Sequence, residues 1–501
     1  YRRQRQMCIR DSNRVMKNLL SISSCVAFAG LTSCAGGSTS EKQITPNIIY
    51  ILADDLGYGD IGILGQKIIK TPNIDKLASD GMIFTNHYSG APVSGPSRCI
   101  LMTGKHSGHS SIRGNKSIAG VGVAPINNND ITLPEAIKNQ TNYVTGMCGR
   151  WHLGGELTNQ TPYHRGFDYH FGKLSADFPN HYGVFIDSLW DQNGIHISYD
   201  KYSKKNIEPM YENGKYYNLT EEENSHRPIN MDRLVTDKAK NFIKSNKDNP
   251  FFLYVAYSLM HAPMEYHADM PIEANDWPKE ERAFASMLMS LDKYVGEIVA
   301  QVDELGLGEN TLIVFTSDNG AHNEGGHDYR FFHSTGDYRG FKRDLYDGGM
   351  HTPMLVRWTG TIPEGSQTNL LSAFWDVMPT ICELAGAPIP EQTDGISFAP
   401  TLCGKTQEKV HDYLYWEFNE RSERVKPRHE YKQAVVFDNW KVVKYIDADK
   451  IEVYQLDKDR SESNDVAKEQ PEIIEKALRY MEESHQQNPI FPLTKEERNI
   501  N

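Results

Sequence analysis

Four apolar runs in this chain each end in a short polar segment, and this repeated pattern constrains the fold most. Nearly continuous apolar runs of this length are typical of strands buried on both faces of a parallel sheet. Because the carboxyl ends of parallel strands meet at one edge of a sheet, where ligands bind in open α/β sheets, we expect the polar segments to form one site. The runs are Asn47–Ala53, Asn142–Met147, Pro250–Tyr257 and Thr311–Ser317. The segments that follow them contain Asp54 and Asp55, Arg150 and His152, His261, and Asp318 and Asn319.

Two further patterns predict helices and a second sheet. Thr71–Ala78 has a capping residue and an early proline, and apolar side chains recur at helical steps over roughly Glu281–Leu305. After about Pro400, short apolar runs alternate with turn residues, which favours antiparallel pairing. These runs are Asp412–Phe418, Ala434–Phe437, Trp440–Tyr445 and Glu452–Leu456, and Pro471–Glu483 is predicted to be a closing helix.

The beginning of the chain is typical of a targeting segment. Residues 1–15 are basic, lack an apolar period and are interpreted as extraneous upstream sequence. Residues 16–34 are predicted to be a lipoprotein signal peptide, since Leu31–Cys34 resembles a bacterial lipobox in which Cys34 is lipidated. An ordinary secretory signal is the alternative. Residues 35–45 form a polar tether, so we expect an exported, lipid-anchored protein in the periplasm or outer membrane of a Gram-negative bacterium.

Charge and cysteine content narrow the function classes. The net charge is −13 and no basic stripe is present, which argues against nucleic-acid binding. An acidic protein with an anionic substrate needs a local pocket of arginine, lysine and histidine. The cysteines after the targeting segment, which are Cys99, Cys148, Cys382 and Cys403, lack metal-binding spacing. Pairing of Cys382 with Cys403 stays open.

The segment Ser94-Gly95-Pro96-Ser97-Arg98 is the strongest local candidate for chemistry. Cys99–Gly104 is predicted to be a buried helix, so Ser94 should lie just ahead of a helix N-terminus, where backbone N–H groups favour an anion. Arg98 can direct its guanidinium to the same place. Taken alone, the pattern is more typical of a Gly-Pro turn with a serine cap.

Asp54, Asp55, Asp318 and Asn319 offer only oxygen ligands, which suit calcium or magnesium. Each motif by itself is also typical of a solvated turn. Their common position at strand ends of one predicted sheet favours a metal site.

Ser94–Arg98, continued by Leu101-Met102-Thr103-Gly104, resembles the modification motif of type I sulfatases. Five further segments match the family in order: Asp54-Asp55, Arg150–Gly154, His261-Ala262-Pro263, Asp318-Asn319-Gly320, and Gly340–Lys342 followed by Tyr346–Gly349. The resemblance implies an alkaline phosphatase-like α/β domain over 46–400, with a large, mixed, mostly parallel sheet sandwiched by helices. It also implies a smaller C-terminal α+β subdomain with an antiparallel sheet over 401–501.

The resemblance implies that a radical-type maturating enzyme oxidises Ser94 to formylglycine. Asp54, Asp55, Asp318, Asn319 and modified Ser94 would bind Ca²⁺, with Mg²⁺ as the second choice. A hydroxyl of the hydrated aldehyde would attack sulfur, Lys342 and His261 would serve the leaving alcohol, and His152 would take the proton from the second hydroxyl. Arg98 and Arg150 would hold charge at the aldehyde and the sulfate. Arg150 is a departure, because the family usually has lysine there.

We expect an O-sulfated sugar as substrate, of the galactose or N-acetylgalactosamine type. Phe167–Trp190 is rich in side chains that handle sugars, among them His181 and Trp190, and His109 and Arg113 are expected to reach the same rim. These four complete the predicted substrate-binding set with Arg150.

Two other functions stay open at this stage. A phosphatase or phosphodiesterase of the alkaline phosphatase superfamily would need a second metal, for which His322 and His327 are the candidates. A non-catalytic lipoprotein could bind sulfated glycan through an unconverted Ser94.

Overall fold

The computed structural model describes residues 45–118, 122–174, 210–217, 231–262, 264–267, 270–274, 276–422 and 428–500. The strands are β1 Asn47–Ala53, β2 Met82–Phe84, β3 His87–Tyr88, β4 Ser117–Ile118, β5 Gly122–Val123, β6 Val144–Arg150, β7 Tyr169–Lys173, β8 Met210–Glu212, β9 Lys215–Tyr216, β10 Phe251–Ala256, β11 Thr311–Ser317, β12 Met354–Arg357, β13 Ser366–Thr368, β14 Ser372–Ala373, β15 Leu414–Ser422, β16 Arg428–Phe437, β17 Trp440–Tyr445 and β18 Lys450–Gln455. The helices are α1 Pro72–Ser79, α2 Ser94–Thr103, α3 Leu133–Lys138, α4 Met231–Ser245, α5 Lys279–Glu304, α6 Asp347–Met350, α7 Val377–Ala385, α8 Ala399–Leu402, α9 Pro471–Ser484 and α10 Lys495–Ile500.

A ten-stranded mixed sheet forms the centre of the fold, in the order β13-β2-β12-β11-β1-β10-β6-β7-β8-β9. Its middle strands β11, β1, β10, β6 and β7 are parallel to one another. The flanking strands β12 and β8 pair in the antiparallel sense. The four apolar runs predicted from the sequence are four of the five parallel strands, so the predicted α/β class and parallel core are confirmed.

Strand β1 explains why the sheet needs helices on both faces. All seven of its residues are buried. Ile48, Tyr50 and Leu52 belong to one hydrophobic cluster with side chains of α2, α3 and α7. The alternate side chains, including Ile49 and Ile51, belong to a second cluster with α1, α4 and α5. Successive side chains of a strand point to opposite faces, so this run is apolar throughout instead of alternating.

Most predicted element boundaries agree with the structure to within a few residues. The difference that affects the site is the start of α2. Helix α2 begins at Ser94, several residues before the predicted start at Cys99. All ten residues of α2 are buried, and Gly104 follows in a left-handed conformation, as a helix-ending glycine does. Ser94 is therefore the first residue of the helix, with Val93 as the N-cap, and does not lie ahead of the helix as expected.

The C-terminal strands β15 to β18 form a separate four-stranded antiparallel sheet, as the resemblance implied. One face packs on α9 through Tyr415, Val435 and Met481. The other face, which includes Trp416 and Val436, joins the hydrophobic cluster of the large sheet. The proposed boundary near residue 400 stays a prediction.

The described cysteines Cys382 and Cys403 are free thiols, so the disulfide left open above is not present. The targeting segment lies outside the described residues, as does the tether except for its last position, and both stay predictions. Within the described ranges, no helix has the length and apolar character that crossing a membrane requires.

A histidine between two carboxylates fixes the C-terminal segment onto β15. His485 Nδ1 lies 2.7 Å from Glu417 Oε2, and His485 Nε2 lies 2.7 Å from Glu497 Oε1. Arg113 contacts the same Glu417 at 2.7 Å. Burial would lower the pKa of His485, but its hydrogen bonds with Glu417 and Glu497 raise it above its ordinary value. The folded protein therefore favours protonated His485.

This contact predicts pH-dependent stability. Because the pKa of His485 is higher in the folded state, its contribution is complete below the unfolded value of about 6.5 and is lost as pH rises through the folded value. We expect His485→Asn to lower the free energy of unfolding more at about pH 6 than at about pH 9. Urea denaturation at both pH values measures the difference. His333→Asn is the matched control, because the His333 side chain is 71% exposed. An equal loss for His485→Asn at both pH values would contradict the expectation.

Candidate active site

The carboxyl ends of β1, β6, β10 and β11 meet at one edge of the large sheet, as the sequence pattern predicted. Asp54 and Asp55 follow β1, and Asp318 and Asn319 follow β11; all four are fully buried. Arg150 is the last residue of β6, and its Nη1 donates to Asp54 Oδ2 at 2.5 Å. The parallel register of β1 and β11 places Ala53 beside Ser317, which brings the two acidic segments side by side.

An unusual backbone conformation places the side chains of Asp54 and Asp55 in the same cluster of polar groups. Successive side chains of an extended strand would point to opposite faces. Asp55 instead has a φ of 65°, in the left-handed region that non-glycine residues rarely adopt. Its backbone N–H donates to Asp318 Oδ1 at 3.1 Å, which holds the turn in place. Both carboxylates therefore face the neighbouring strand end.

Helix α2 presents Ser94 and Arg98 to these carboxylates from one face, because residues four apart on a helix are neighbours. Ser94 Oγ donates to Asp54 Oδ1 at 2.8 Å. Arg98 is fully buried and makes five hydrogen bonds. Two of these go to Asp318 Oδ2, at 3.1 and 2.9 Å, and one goes to Asp54 Oδ2 at 3.1 Å.

Lys342 and His261 approach the cluster at Asp55. Lys342 Nζ lies 2.7 Å from Asp55 Oδ2, and His261 Nε2 lies 3.8 Å from the same oxygen. Burial would lower the pKa of Lys342, but Asp55 and Glu324 raise it above its ordinary value, so the amine is charged. Burial and the neighbouring Lys342 lower the pKa of His261, which favours a neutral imidazole. A charged ammonium group and an imidazole thus lie near the same carboxylate oxygen.

His152 lies close to Gly95, the residue that follows Ser94. A Cβ placed on Gly95 would lie 3.8 Å from His152 Nε2 and 2.8 Å from Asn115 Oδ1. A side chain at this position would contact the His152 ring and would displace the Asn115 amide, so both groups lie close to the start of α2. His152 has a φ of 64°, a second left-handed residue at the site, and strain of this kind persists where surrounding contacts fix it.

The acidic residues fit a hard divalent cation. Burial and the adjacent Asp54 carboxylate raise the pKa of Asp318 to about 7, which reflects the crowding of negative charge. Burial alone would raise the pKa of Asp54, but Arg150 and Arg98 hold it well below its usual range. Asn319 Nδ2 donates to Asp55 Oδ1 at 2.8 Å, while the buried Asn319 Oδ1 has no hydrogen-bond partner among the described residues. An oxygen-coordinated cation would relieve both conditions.

Each of the two histidines considered for a second metal has a hydrogen-bond partner at one ring nitrogen at least. His322 Nε2 donates to the carbonyl of Met260 at 2.9 Å, and its Nδ1 accepts from the N–H of Glu324 at 3.0 Å. His327 Nδ1 lies 2.7 Å from Glu281, and its ring stacks on Phe284 with centroids 3.8 Å apart. Both ring nitrogens of His322 are thus in use, so this arrangement does not favour the two-metal phosphatase alternative.

Comparison with known proteins decides the family. The sulfatase family model matches residues 46–387, and a model described as N-sulphoglucosamine sulphohydrolase, C-terminal, matches residues 336–487. The chain belongs to the sulfatase family. It is therefore a sulfuric ester hydrolase, and the resemblance read from its motifs is confirmed.

Curated relatives span most of this sulfatase. Human arylsulfatase G is 32% identical over 412 residues, which cover 76% of this chain and 74% of the relative. The N-acetylgalactosamine-6-O-sulfatase of Bacteroides thetaiotaomicron is 29% identical over 507 residues, covering 89% and 94%. Among solved structures, Ps i-CgsB in complex with a neocarrahexaose has a TM-score of 0.72 at 27% identity, covering 91% of this chain and 96% of that one.

The described rim residues, His109 and Arg113, contact carboxylates other than those of the central cluster. His109 Nδ1 contacts Asp394 at 2.8 Å and its ring stacks on His106. Arg113 is 3% exposed, and its guanidinium contacts Glu417. These contacts tie loops together, and the expectation that both residues reach the sulfatase's catalytic rim stays a prediction. His181 and Trp190 lie outside the described residues and stay predictions.

Glu324 and Tyr254 belong to the site but were missed by sequence analysis. Glu324 contacts Lys342 at 2.9 Å and Arg343 at 2.6 Å. Its position six residues after Asp318 in the same loop was the available signal. The Tyr254 hydroxyl lies 3.4 Å from Arg98. Tyr254 is an ordinary member of an apolar strand, and nothing in the sequence marks it.

The two arginines of the sulfatase site should respond differently to substitution by lysine. Arg98 is enclosed, and an ammonium group cannot reproduce its planar set of hydrogen bonds, so we expect Arg98→Lys to lower kcat/KM by more than about 100-fold. The Arg150 side chain is 15% exposed, so Arg150→Lys should retain activity within about tenfold. Steady-state kinetics on the two purified variants measures both effects. Complete loss in Arg150→Lys would show that its guanidinium geometry is essential.

Proposed function

We propose that Ser94 of this sulfatase is converted to formylglycine, and that the enzyme uses this residue, with bound Ca²⁺, to hydrolyse sulfate esters on carbohydrates. The observation that carries the proposal is the position of Ser94. It begins a buried helix and donates to Asp54, a carboxylate that Arg98 and Arg150 also contact. A hydroxyl on this carbon would be fixed between a metal-type carboxylate and groups that bind an anion.

Each remaining side chain has a position that suits one task. His152 lies beside Gly95 and would accept the proton of the nucleophilic residue's second hydroxyl. Lys342 and His261 lie together near Asp55, where they would bind and protonate the leaving oxygen. Arg98 holds Asp54 and Asp318 in place and adds positive charge where the sulfate must bind.

Asp54, Asp55, Asp318 and Asn319 would hold the calcium, with the modified Ser94 as a further ligand. A bound divalent cation would polarise a sulfate oxygen and lower the pKa of the attacking hydroxyl. Without the cation, the charges of three carboxylates oppose those of Arg98, Arg150 and Lys342. With the cation present the site would carry net positive charge, as an anionic substrate requires.

The substrate we propose is an O-sulfated galactose or N-acetylgalactosamine unit of a glycan. The relatives named for N-acetylgalactosamine-6-sulfate include the Bacteroides enzyme above and a dog enzyme that is 31% identical over 391 residues. A further solved structure, 26% identical with a TM-score of 0.67, comes from work on glycosaminoglycan metabolism in Bacteroides thetaiotaomicron. These names support a sulfated-glycan substrate for this chain.

Two further parts of the proposal concern the maturation and the export of the protein. A serine at the modified position calls for a radical-type maturating enzyme. The lipobox at Leu31–Cys34 supports export and attachment to a membrane through lipid alone. Both are proposals from the sequence.

Ser94→Ala should abolish turnover, with residual activity below about one part in a thousand, because no group replaces the nucleophile. Ser97→Ala is the matched control: Ser97 is also buried in α2, and its hydroxyl accepts from the N–H of Gly90 at 3.2 Å. This control should lose about 1 kcal/mol of stability and keep its activity. Assays with a sulfated sugar and urea denaturation separate the two effects.

The modification itself is checked by mass spectrometry of wild-type protein from the native host. The peptide that ends at Arg98 should lack two hydrogen atoms relative to its sequence, because oxidation converts an alcohol to an aldehyde. An unmodified peptide in fully active protein would contradict the proposed nucleophile. An unmodified peptide in inactive protein that binds sulfated glycan would instead support a binding role.

Removal of the metal should be reversible with calcium. Protein treated with a chelator is expected to lose activity and to recover it when Ca²⁺ is added, since all the proposed ligands are hard oxygens. Metal content and activity measured after each addition test this. Recovery with zinc alone would contradict the oxygen-ligand assignment.

The substrate class is tested with a panel of monosulfated monosaccharides and short glycosaminoglycan or mucin-type fragments. We expect the highest kcat/KM for a sulfated galactose or N-acetylgalactosamine. Nitrophenyl sulfate is the comparison compound without a sugar. A much higher kcat/KM for nitrophenyl sulfate than for every sugar would reject the glycan assignment.

A further inference from the structure

A second polar cleft lies beside the C-terminal end of α2. Its volume is about 770 Å³, within the roughly 300–1,000 Å³ of sites that bind small ligands. The walls come from three separate parts of the chain: residues 105–130, residues 158–160 and residues 486–490. None of the side chains assigned above to catalysis or metal binding lines it.

Carboxamides make up half of the polar side chains that line this cleft. The lining contains seven of them, and they are Asn127, Asn128, Asn129, Gln160, Gln486, Gln487 and Asn488. The side chains of Asn129, Gln486 and Gln487 are exposed and make no hydrogen bond within the described ranges. Each carboxamide both donates and accepts, which matches the hydroxyl groups of a sugar.

The charged groups in the cleft already have partners. Lys105 Nζ lies 2.6 Å from Asp130 Oδ1, and both belong to the lining. Arg113 contacts Glu417 at 2.7 Å. Because these charges are paired, the cleft offers little attraction for a sulfate group and suits a neutral ligand. Pro125, Pro489 and Ile490 add apolar surface for the C–H faces of such a ligand.

The position of the cleft relates it to the catalytic centre. Ser94 begins α2, and Lys105, two residues after the end of the same helix, lines the cleft. The segment after the cleft returns toward the catalytic centre, since Arg113 lines the cleft and Asn115 lies against Gly95. A ligand chain of several sugar units can therefore reach both places.

We propose that this cleft binds a neutral, hydroxyl-rich saccharide segment of the same glycan whose sulfated unit occupies the catalytic site. The inference rests on the proposed glycan substrate and extends it to a second binding site. The cleft would contribute to the affinity for longer substrates, while the chemistry at Ser94 would be independent of it. A neutral peptide is the other ligand class with hydrogen-bonding groups of this kind, and the experiment includes it.

The test uses the double variant Asn129→Ala/Gln487→Ala, which removes two exposed carboxamides without disturbing the core. Its matched control is Asn310→Ala/Gln367→Ala, which removes two exposed carboxamides outside the cleft.

Kinetics are measured on a sulfated monosaccharide and on an oligosaccharide that ends in the same sulfated unit. The cleft variant should raise KM for the oligosaccharide at least fivefold, leave kcat unchanged and leave both constants unchanged for the monosaccharide. The control variant should change neither substrate. Equal effects of the cleft variant on both substrates, or no effect, would overturn the proposal.

A binding titration tests the saccharide site independently of sulfatase activity. Calorimetry with an unsulfated galactose oligosaccharide measures binding without turnover, so it stays informative even if wild-type protein hydrolyses no sulfated sugar. Binding by wild-type and control protein, with at least fivefold weaker binding by the cleft variant, would support the saccharide site. Equal binding by all three proteins, no binding, or preferential binding of a neutral serine- and glycine-rich peptide would overturn it.

Discussion

The guanidinium of Arg98 lies in a fully buried position between two carboxylates from different strand ends, Asp54 and Asp318. A buried charge is tolerated only when its hydrogen bonds are satisfied and opposite charge is nearby. Arg98 also donates to the carbonyl of Arg150 and to the Tyr254 hydroxyl, so it contacts groups from β6 and β10. This single side chain therefore links α2 to four parallel strands. Ser94 lies one turn earlier in α2, so the contacts that position the helix also position Ser94.

Charge in the site is divided between these elements. The acidic residues follow β1 and β11, while the cations come from α2, the end of β6 and the loop that holds Lys342. The chain carries a net charge of −13, so an anion must be attracted by this local arrangement and not by the protein as a whole. Low local dielectric strengthens each of these interactions, because the acidic residues are fully buried.

Sequence analysis predicted the parallel core well because strands buried on both faces leave an apolar run with sharp polar ends. Strand β11 was predicted at Thr311–Ser317 and is found there. Sequence analysis predicted the start of α2 poorly. Ser94-Gly95-Pro96 contains a glycine and a proline, which both disfavour the interior of a helix. At the first turn of a helix, however, proline is well tolerated, and contacts from the strand ends hold the segment helical.

Arg113 shows a different limit of the sequence. Sequence analysis expected this residue at the substrate rim, and the structure shows that its side chain pairs with Glu417, which is 304 residues away in the chain. No local pattern specifies such a pairing, because it depends on how the C-terminal sheet packs against the large domain. Glu324 is similar: its role follows from the proximity of Lys342 and Arg343, which the fold alone provides.

The sequence by itself determined the α/β class, the convergence of polar segments at one sheet edge and the family to which the chain belongs. It could do so because apolar periodicity and motif spacing are local properties of the chain. Only the tertiary structure decided which carboxylate each cation contacts, that His322 and His327 each have a hydrogen-bond partner, and that a carboxamide-lined cleft lies at the far end of α2. Those features arise from contacts between residues far apart in sequence, whose distances and burial are fixed when the sheets and helices pack.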